Sequence, residues 1–212
     1  MKNNIAFVLL AGGKSQRMGI AKGLLKYHDR FWIIEQLLRI DYEHVNEVYI
    51  GLGHDYEAYF KEIPWLVDAQ FQPVTFNNLT IRVNINKNPE LGPFSTLRSV
   101  LNVIPKEYEI VFQPIDIPIL NKIDLLKITN CNYKIAMPFF KGKNGHPIKL
   151  SSTFCNDLRR LNPTDSKNRL DMEIKKINPS EINRIEVTDA SINKNFNTPN
   201  DWLEYTNEKT PL

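Results

Sequence analysis

The run Ile5-Ala6-Phe7-Val8-Leu9-Leu10-Ala11, joined without a spacer to Gly12-Gly13-Lys14-Ser15-Gln16-Arg17-Met18-Gly19, restricts the possible folds more than any other stretch of this chain. An unbroken apolar run has no polar face to offer solvent, so it reads as a strand covered on both sides, the kind found in parallel sheets. Parallel neighbours need crossover connections, and the following segments supply them. Phe31 to Ile40 carries apolar residues at helical spacing, Glu47 to Ile50 is a second strand, and Asp55 is placed to cap a short helix through Phe60. Pro93 opens a helix that runs to about Ile104, and Ile110-Val111-Phe112 is a third buried strand ending at Pro114-Ile115-Asp116.

The remainder continues the alternation. Between Pro64 and Asn86 strand pieces are expected near Phe71 and at Leu79-Thr80-Ile81; further on come a helix over Ile123–Ile128 and strands at Lys134–Met137 and Pro147–Leu150. Helical segments follow at Phe154–Leu161 and Leu170–Ile177, then a strand at Ile185–Val187 and a last helix over Pro199–Tyr205. This order predicts an α/β fold: three layers, α/β/α, around a mostly parallel, doubly wound, Rossmann-like sheet. With no repeat, low-complexity linker or shift in composition, residues 1–205 read as one domain and 206–212 as a frayed polar tail.

Composition removes several classes. The 27 basic and 24 acidic side chains leave a net charge of +3, too mild for a nucleic-acid partner, and no apolar run is long enough to span a membrane. Cys131 and Cys155 form neither a disulfide framework nor a metal-binding pair, which points to the reducing cytoplasm. Lys2 ahead of the apolar run loosely imitates a signal peptide, but the run is at the short limit and Lys14 and Arg17 follow it directly. Trp32, Trp65 and Trp202 sit among apolar neighbours and read as core.

The glycine loop carries the chemistry. At the carboxyl end of a parallel strand it can bring backbone N–H groups against a phosphate chain without interference from Cβ atoms, with Arg17 and Lys22 adding positive charge. Three better-known motifs fail on spacing. A P-loop ending in Gly13-Lys14-Ser15 needs a glycine where Val8 stands; the dinucleotide fingerprint is absent here, and at Gly51-Leu52-Gly53 its third glycine is replaced by Tyr56; an esterase elbow around Ser15 needs a glycine where Arg17 stands. Asp116 ends a hydrophobic strand, where a catalytic carboxylate would stand, although Asp-x-Pro is also a common turn. Asn197 before Thr-Pro is either a helix cap or a neutral oxygen ligand for a hard cation. No histidine pair has zinc spacing, and His146 reads equally as a turn residue.

From Leu10 to Lys22 the chain resembles the signature of the nucleotidyltransferases related to the molybdenum-cofactor guanylyl- and cytidylyltransferases, which reads roughly L-A-[AG]-G-x-S-x-R-M-G-x-x-K. Leu10, Ala11, Gly12, Gly13, Ser15, Arg17, Met18, Gly19 and Lys22 fill every fixed position. Asn88-Pro89 with Gly92 and Ser95-Thr96-Leu97-Arg98 is similar to that family's nucleotide-pocket segment, and Pro114 to Pro118 to its D-x-P motif. Gly145-His146-Pro147 resembles the turn of the cytidylyl branch, and Asn195 to Asp201 the closing N-x-N-T-P-x-D motif, with Asn195 where the family often has Asp.

The resemblance implies an Mg²⁺-dependent transfer of a nucleoside monophosphate from GTP or CTP to a phosphorylated acceptor, with pyrophosphate released. Leu10, Ala11, Gly12, Gly13, Ser15, Arg17, Lys22, Asn88, Gly92 and Ser95 would bind the nucleotide, Arg17, Lys22 and Asp116 would be catalytic, Asp116 and Asn197 would hold Mg²⁺, and His146 would touch the acceptor. Within the family, Leu-Ala-Gly-Gly goes with guanine and Leu-Ala-Ala-Gly with cytosine, so Gly12 points to GTP, whereas the Gly-His-Pro turn and Ser-Thr-Leu-Arg point to CTP. The acceptor is molybdopterin or another phosphorylated metabolite such as a sugar phosphate, and Lys141-Gly142-Lys143 could help hold its charge. The alternatives are a nucleotide-binding protein without turnover and, from the near miss at Gly51, a Rossmann-type oxidoreductase.

Overall fold

A computed structural model describes residues 4–40 and 43–209. The first strand, β1 (Ile5–Leu10), is followed by a two-residue ribbon, β2 (Lys26–Tyr27) with β3 (Arg30–Phe31), and by helix α1 (Trp32–Leu38). Next come β4 (Glu47–Leu52), α2 (Tyr56–Glu62), α3 (Trp65–Asp68), β5 (Val74–Phe76), β6 (Leu79–Ile85), α4 (Pro93–Leu101) and β7 (Glu109–Pro114). The second half adds α5 (Lys122–Thr129), β8 (Ile135–Phe140), β9 (Lys143–Asn144), β10 (Ile148–Leu150), α6 (Ser152–Arg160), α7 (Leu170–Lys175), β11 (Ile182–Glu186) and α8 (Pro199–Lys209). Lys2 and residues 210–212, to which the sequence assigned a leader-like start and part of a frayed tail, lie outside the described residues.

The main sheet runs β11-β8-β10-β7-β1-β4-β6-β5, with β9 paired to β8. Its centre, β7-β1-β4-β6, is parallel throughout, as is β8 with β11, while β10 and the edge strand β5 run antiparallel to their neighbours. The result is a mixed, mostly parallel α/β sheet. Its second half departs from a purely parallel winding because the short connection from β8 to β10 is too brief for a crossover helix. Alternate residues of β1 serve the two faces: Phe7 and Leu9 pack with α1, α2, α5 and α8, while Ala6, Val8 and Leu10 pack with α4 and α6. All three layers are therefore present, and β1 is sealed from water as its apolar run required. Among the described residues no helix is long and apolar enough to cross a membrane.

Several local expectations change. Phe71 is not in a strand; it sits 84% exposed in the turn after α3, and the strand lies further on, at β5. Asp55 precedes α2 as expected but adopts a left-handed φ of 60° and makes no side-chain cap bond. The last helix continues past Tyr205, where order was expected to end, to Lys209. Trp32 and Trp202 are buried, Trp65 stacks on Phe76, and both cysteines are free thiols.

Asp124 ties α5 to the chain that leaves β11 for the closing motif. Its buried carboxylate accepts bonds from Lys127 Nζ at 2.7 Å, Thr188 N at 2.9 Å, Asp189 N and Thr188 Oγ1 at 3.0 Å, and Asn121 Nδ2 at 3.0 Å. Burial pushes its pKa up, but these donors, the Lys127 ammonium first, outweigh it and hold the carboxyl at about 2. The folded value lies below the unfolded one of 3.8. The stabilisation is therefore complete above about pH 4 and is lost as pH falls toward 2. Asp124→Ala should cost about 3 kcal/mol at neutral pH. Urea unfolding at pH 7 and pH 3 should show the difference between wild type and variant shrinking at the lower pH.

Candidate functional site

Register puts the carboxyl ends of three strands level, with Leu10 opposite Gly51 on β4 and Pro114 on β7. The pairing continues beyond the strands, from Ala11 N to Gly51 O at 2.8 Å and from Ile115 N to Leu10 O at 2.9 Å. The glycine loop thus leaves β1 already pinned on both sides. A Cβ on Gly12 would stand 3.0 Å from the Thr96 side chain and 3.1 Å from Gly53 N, and one on Gly53 would stand 2.7 Å from Gly12 O. Two glycines face each other because the backbones leave no room for anything larger. Gly13 meets nothing within 4 Å and faces open space. Ser15 turns the loop with φ 45°, its carbonyl accepting from Met18 N and Gly19 N and its hydroxyl from Lys22 N at 3.3 Å.

The loop borders a cleft of about 680 Å³ lined by Leu10 to Arg17 and Lys22 on one side and by Pro89, Gly92, Pro93 and Thr96 on another, with Asp116 and Asn197 at its end. Lys22 Nζ lies 2.8 Å from Asp116 Oδ2 and 3.1 Å from Asn197 Oδ1, bridging residues 94 and 175 positions away. Lys22 was expected to face phosphate; here its ammonium stands between the two oxygens expected to hold a cation. Asn197 does not cap a helix with its side chain. Asp201 does that work: its Oδ2 accepts from Asn197 N at 2.9 Å and Thr198 N at 2.8 Å, while Asp201 N donates to Thr198 Oγ1. Those two backbone N–H groups hold the Asp201 carboxyl below its ordinary pKa. This reciprocal capping leaves the Asn197 amide free to point at Lys22.

Other expected residues stand behind the cleft. Asn86 Nδ2 donates to Ser95 Oγ at 2.7 Å and Thr96 Oγ1 at 3.0 Å, and its Oδ1 accepts from Asn88 N at 3.0 Å. Ser95 Oγ in turn donates to Gly92 O at 2.7 Å and Asn88 O at 3.1 Å. Asn88 and Ser95 therefore brace the segment that carries Pro89 and Gly92 into the cleft and do not line it. His146 packs edge-on against Phe112, a cleft residue, at 5.4 Å between rings. Burial lowers its pKa to about 4, the Asp116 charge pulling the other way, so the ring is neutral at pH 7. Lys141 and Gly142 form the tip between β8 and β9.

Among the lining residues that the sequence did not single out for a role are His54, Tyr59 and Glu90. Tyr59 accepts from Gly23 N at 3.1 Å, and burial pushes its phenol well above the ordinary range. No periodicity marks it, since it reaches the cleft only because α2 packs behind the loop. Glu90 sits between two recognised residues, Pro89 and Gly92, and was readable in principle as a carboxylate inside a pocket segment.

Among the described residues no group of three or more His, Cys, Asp or Glu could hold a metal unaided. Asp116 and Asn197 offer one charged and one neutral oxygen to a common cationic point, now taken by the Lys22 ammonium. That donor set fits a hard divalent ion that completes its shell with water and phosphate oxygens.

Comparison with known proteins agrees with this geometry. No curated protein matches the sequence. Among solved structures, Rv0371c from Mycobacterium tuberculosis H37Rv superposes with a TM-score of 0.74 at 20% identity, covering 98% of this chain and 99% of its own. The same mycobacterial protein has also been solved in complex with manganese. A nucleotidyl transferase from Methanothermobacter gives 0.73 at 16% identity over 97% of both chains. Molybdopterin-guanine dinucleotide biosynthesis protein A from Archaeoglobus fulgidus gives 0.65 at 14% identity, over 96% of this chain and 97% of that one. At such identities the likeness is one of fold. The family model described as the MobA-like NTP transferase domain matches the sequence itself over residues 7–177, from within β1 to beyond α7. Because that span takes in both the glycine loop and Asp116, this chain belongs to the MobA-like NTP transferase domain family and is a nucleotidyltransferase.

Proposed function

We propose that this protein transfers GMP from GTP to a small phosphorylated acceptor in a divalent-metal-dependent reaction, Mg²⁺ being the working ion. The observation that carries the reading is Lys22 held between Asp116 and Asn197 at the open end of the glycine loop. Backbone N–H groups of Gly12 to Ser15 would hold the phosphates, Arg17 would neutralise them, and Lys22 would turn from Asp116 to the charge that builds on the α-phosphate. An acceptor oxygen attacks the α-phosphorus, the bond to the β-phosphate oxygen breaks, and pyrophosphate leaves. Such transfers need positioning and charge neutralisation more than covalent help. The metal, held by Asp116 and Asn197, would supply further neutralisation and a fixed geometry for the reacting oxygens. Residues 1–205 would act as one domain, in a reducing cytoplasm where Cys131 and Cys155 stay thiols.

Guanine is supported by a residue other than Gly12. Packing against Thr96 and Gly53 demands a glycine at 12 whatever the base, so that position is a weak base signal here. Glu90 lines the cleft and makes no hydrogen bond or ion pair among the described residues. It sits beside Pro89, whose Cβ would lie 3.0 Å from a Cβ placed on Gly53, so it borders the cleft on the β4 side of the glycine loop, across β1 from the strand that carries Asp116. A carboxylate is repelled by phosphate. It is suited to accept hydrogen bonds from the nucleoside, and guanine presents two adjacent donors, N1–H and the 2-amino group. The acceptor reading of His146, beside Phe112 at the other end of the cleft, is compatible with this orientation. Molybdopterin is the acceptor we favour, with sugar phosphates as the alternative; the Archaeoglobus relative by fold is described by its role in molybdopterin-guanine dinucleotide synthesis.

Asp116→Ala and Lys22→Ala should each slow Mg²⁺-dependent pyrophosphate release from GTP by about 10²–10³-fold. Release at the wild-type rate by Asp116→Ala would sink the assignment, and tight GTP binding without release in the presence of any phosphorylated acceptor would favour a binding protein. For the base, ITP lacks the 2-amino group and should bind wild type about tenfold more weakly than GTP. Glu90→Ala should erase that difference; if it persists, Glu90 does not read the base.

A further inference from the structure

Asp116 stands in an irregular stretch, Ile115 to Leu120, with no helix or strand of its own. What fixes it comes largely from side chains elsewhere. The Trp32 indole N–H donates to Ile115 O at 2.7 Å, and Gln36 Oε1 accepts from Ile119 N at 2.8 Å. Trp32 and Gln36 are one turn apart on α1 and so present the same face to both flanks of Asp116. From β7, Gln113 Nε2 donates to Ile117 O at 2.7 Å and to Pro114 O at 3.1 Å. Phe196 N, just before Asn197, donates to Asp116 O at 2.9 Å.

Trp32, Gln36 and Gln113 all have no exposed surface, and both glutamines are only half satisfied: Gln36 Nε2 and Gln113 Oε1 are buried without a partner among the described residues. An orphaned buried amide atom is destabilising; a leucine would remove it but leave Ile119 N or Ile117 O unpaired, so the two costs offset. Packing alone therefore gives no reason for glutamine at either position. The two glutamines converge on the stretch that presents Asp116 and on no other.

We propose that Trp32, Gln36 and Gln113 are positioning residues that aim the Asp116 carboxylate at the metal, each glutamine doing so with one amide atom left unpaired. The proposal rests on the reading of Asp116 as a metal ligand. A residue that serves the fold alone loses stability and binding together; the glutamines should not.

The test compares Trp32→Phe, Gln36→Leu and Gln113→Leu with wild type and Asp116→Ala, measuring melting temperature, GTP affinity without metal, and Mn²⁺ affinity in the presence of GTP by electron paramagnetic resonance. Gln113→Leu should melt within a few degrees of wild type while binding Mn²⁺ about tenfold more weakly. Trp32→Phe, which loses the donor together with part of the indole's volume, should melt lower and lose Mn²⁺ affinity to the same extent as Gln113→Leu. Metal-free GTP affinity should be unchanged in all three, because the glycine loop is untouched. Unchanged Mn²⁺ affinity in the three variants, or losses that merely follow a lower melting temperature, would overturn the proposal. If Asp116→Ala binds Mn²⁺ with GTP as tightly as wild type, the ligand reading itself fails and the proposal with it.

Discussion

Everything at the functional end of this molecule depends on β1 being hydrogen-bonded in parallel to β4 on one side and β7 on the other. Parallel pairing with this register brings three carboxyl ends to one level, and the bonds that continue past Leu10 carry the glycine loop out between Gly51 and Ile115. Were β1 an edge strand, the loop would lose one wall and with it either the Gly53 contact or the neighbourhood of Asp116. The apolar run is the condition for that placement, since a strand at the centre of the sheet has both faces under helices.

Two opposite demands meet along this edge. The glycine loop needs backbones close together, and Gly12 and Gly53 allow it by having no side chains. The stretch after β7 must hold a carboxylate still without regular structure, and buried polar side chains do that work through Trp32, Gln36 and Gln113. The aromatic cluster of Trp32, Phe196, Trp202 and Tyr205 joins the segments that carry Asp116 and Asn197, because Trp32 bonds beside Asp116 and Phe196 precedes Asn197. Charge follows the same division. Positive side chains gather over β1, the Asp116–Lys22–Asn197 group lies toward β7, and Glu90 borders the cleft beside Pro89 and Gly53.

The strand-helix alternation was readable wherever an element had one strong signal: the apolar run of β1, Pro93 at the start of α4, the alternation ending at Asp116. It failed around Phe71 because an aromatic residue between polar neighbours looks strand-like, yet its exposure comes from a turn held by Asp68 O bonding to Phe71 N and Gln72 N. The strand at β10 was expected, but its antiparallel place between β7 and β8 was not, since strand order and direction are not carried by a strand's own pattern. For the site, the glycine motif, Lys22, Asp116 and Asn197 were legible and the fold brings them together. Asn88 and Ser95 were legible as a segment, but the Ser95 hydroxyl and the Asn88 backbone turned out to brace it instead of lining the cleft.

By itself the sequence determined a buried first strand opening into a phosphate-suited loop, an α/β alternation, and the set of polar residues from which a nucleotide site could be drawn. Those properties are local: hydrophobic run length, glycine spacing and turn chemistry act over a few residues and can be read in order. Only the tertiary structure decided that Lys22 sits between Asp116 and Asn197, that Tyr59, His54 and Glu90 complete the cleft, and that two buried glutamines and an indole grip the Asp116 stretch. Such contacts join residues far apart along the chain, and strand order, register and helix packing set their distances, none of which is encoded at any one position.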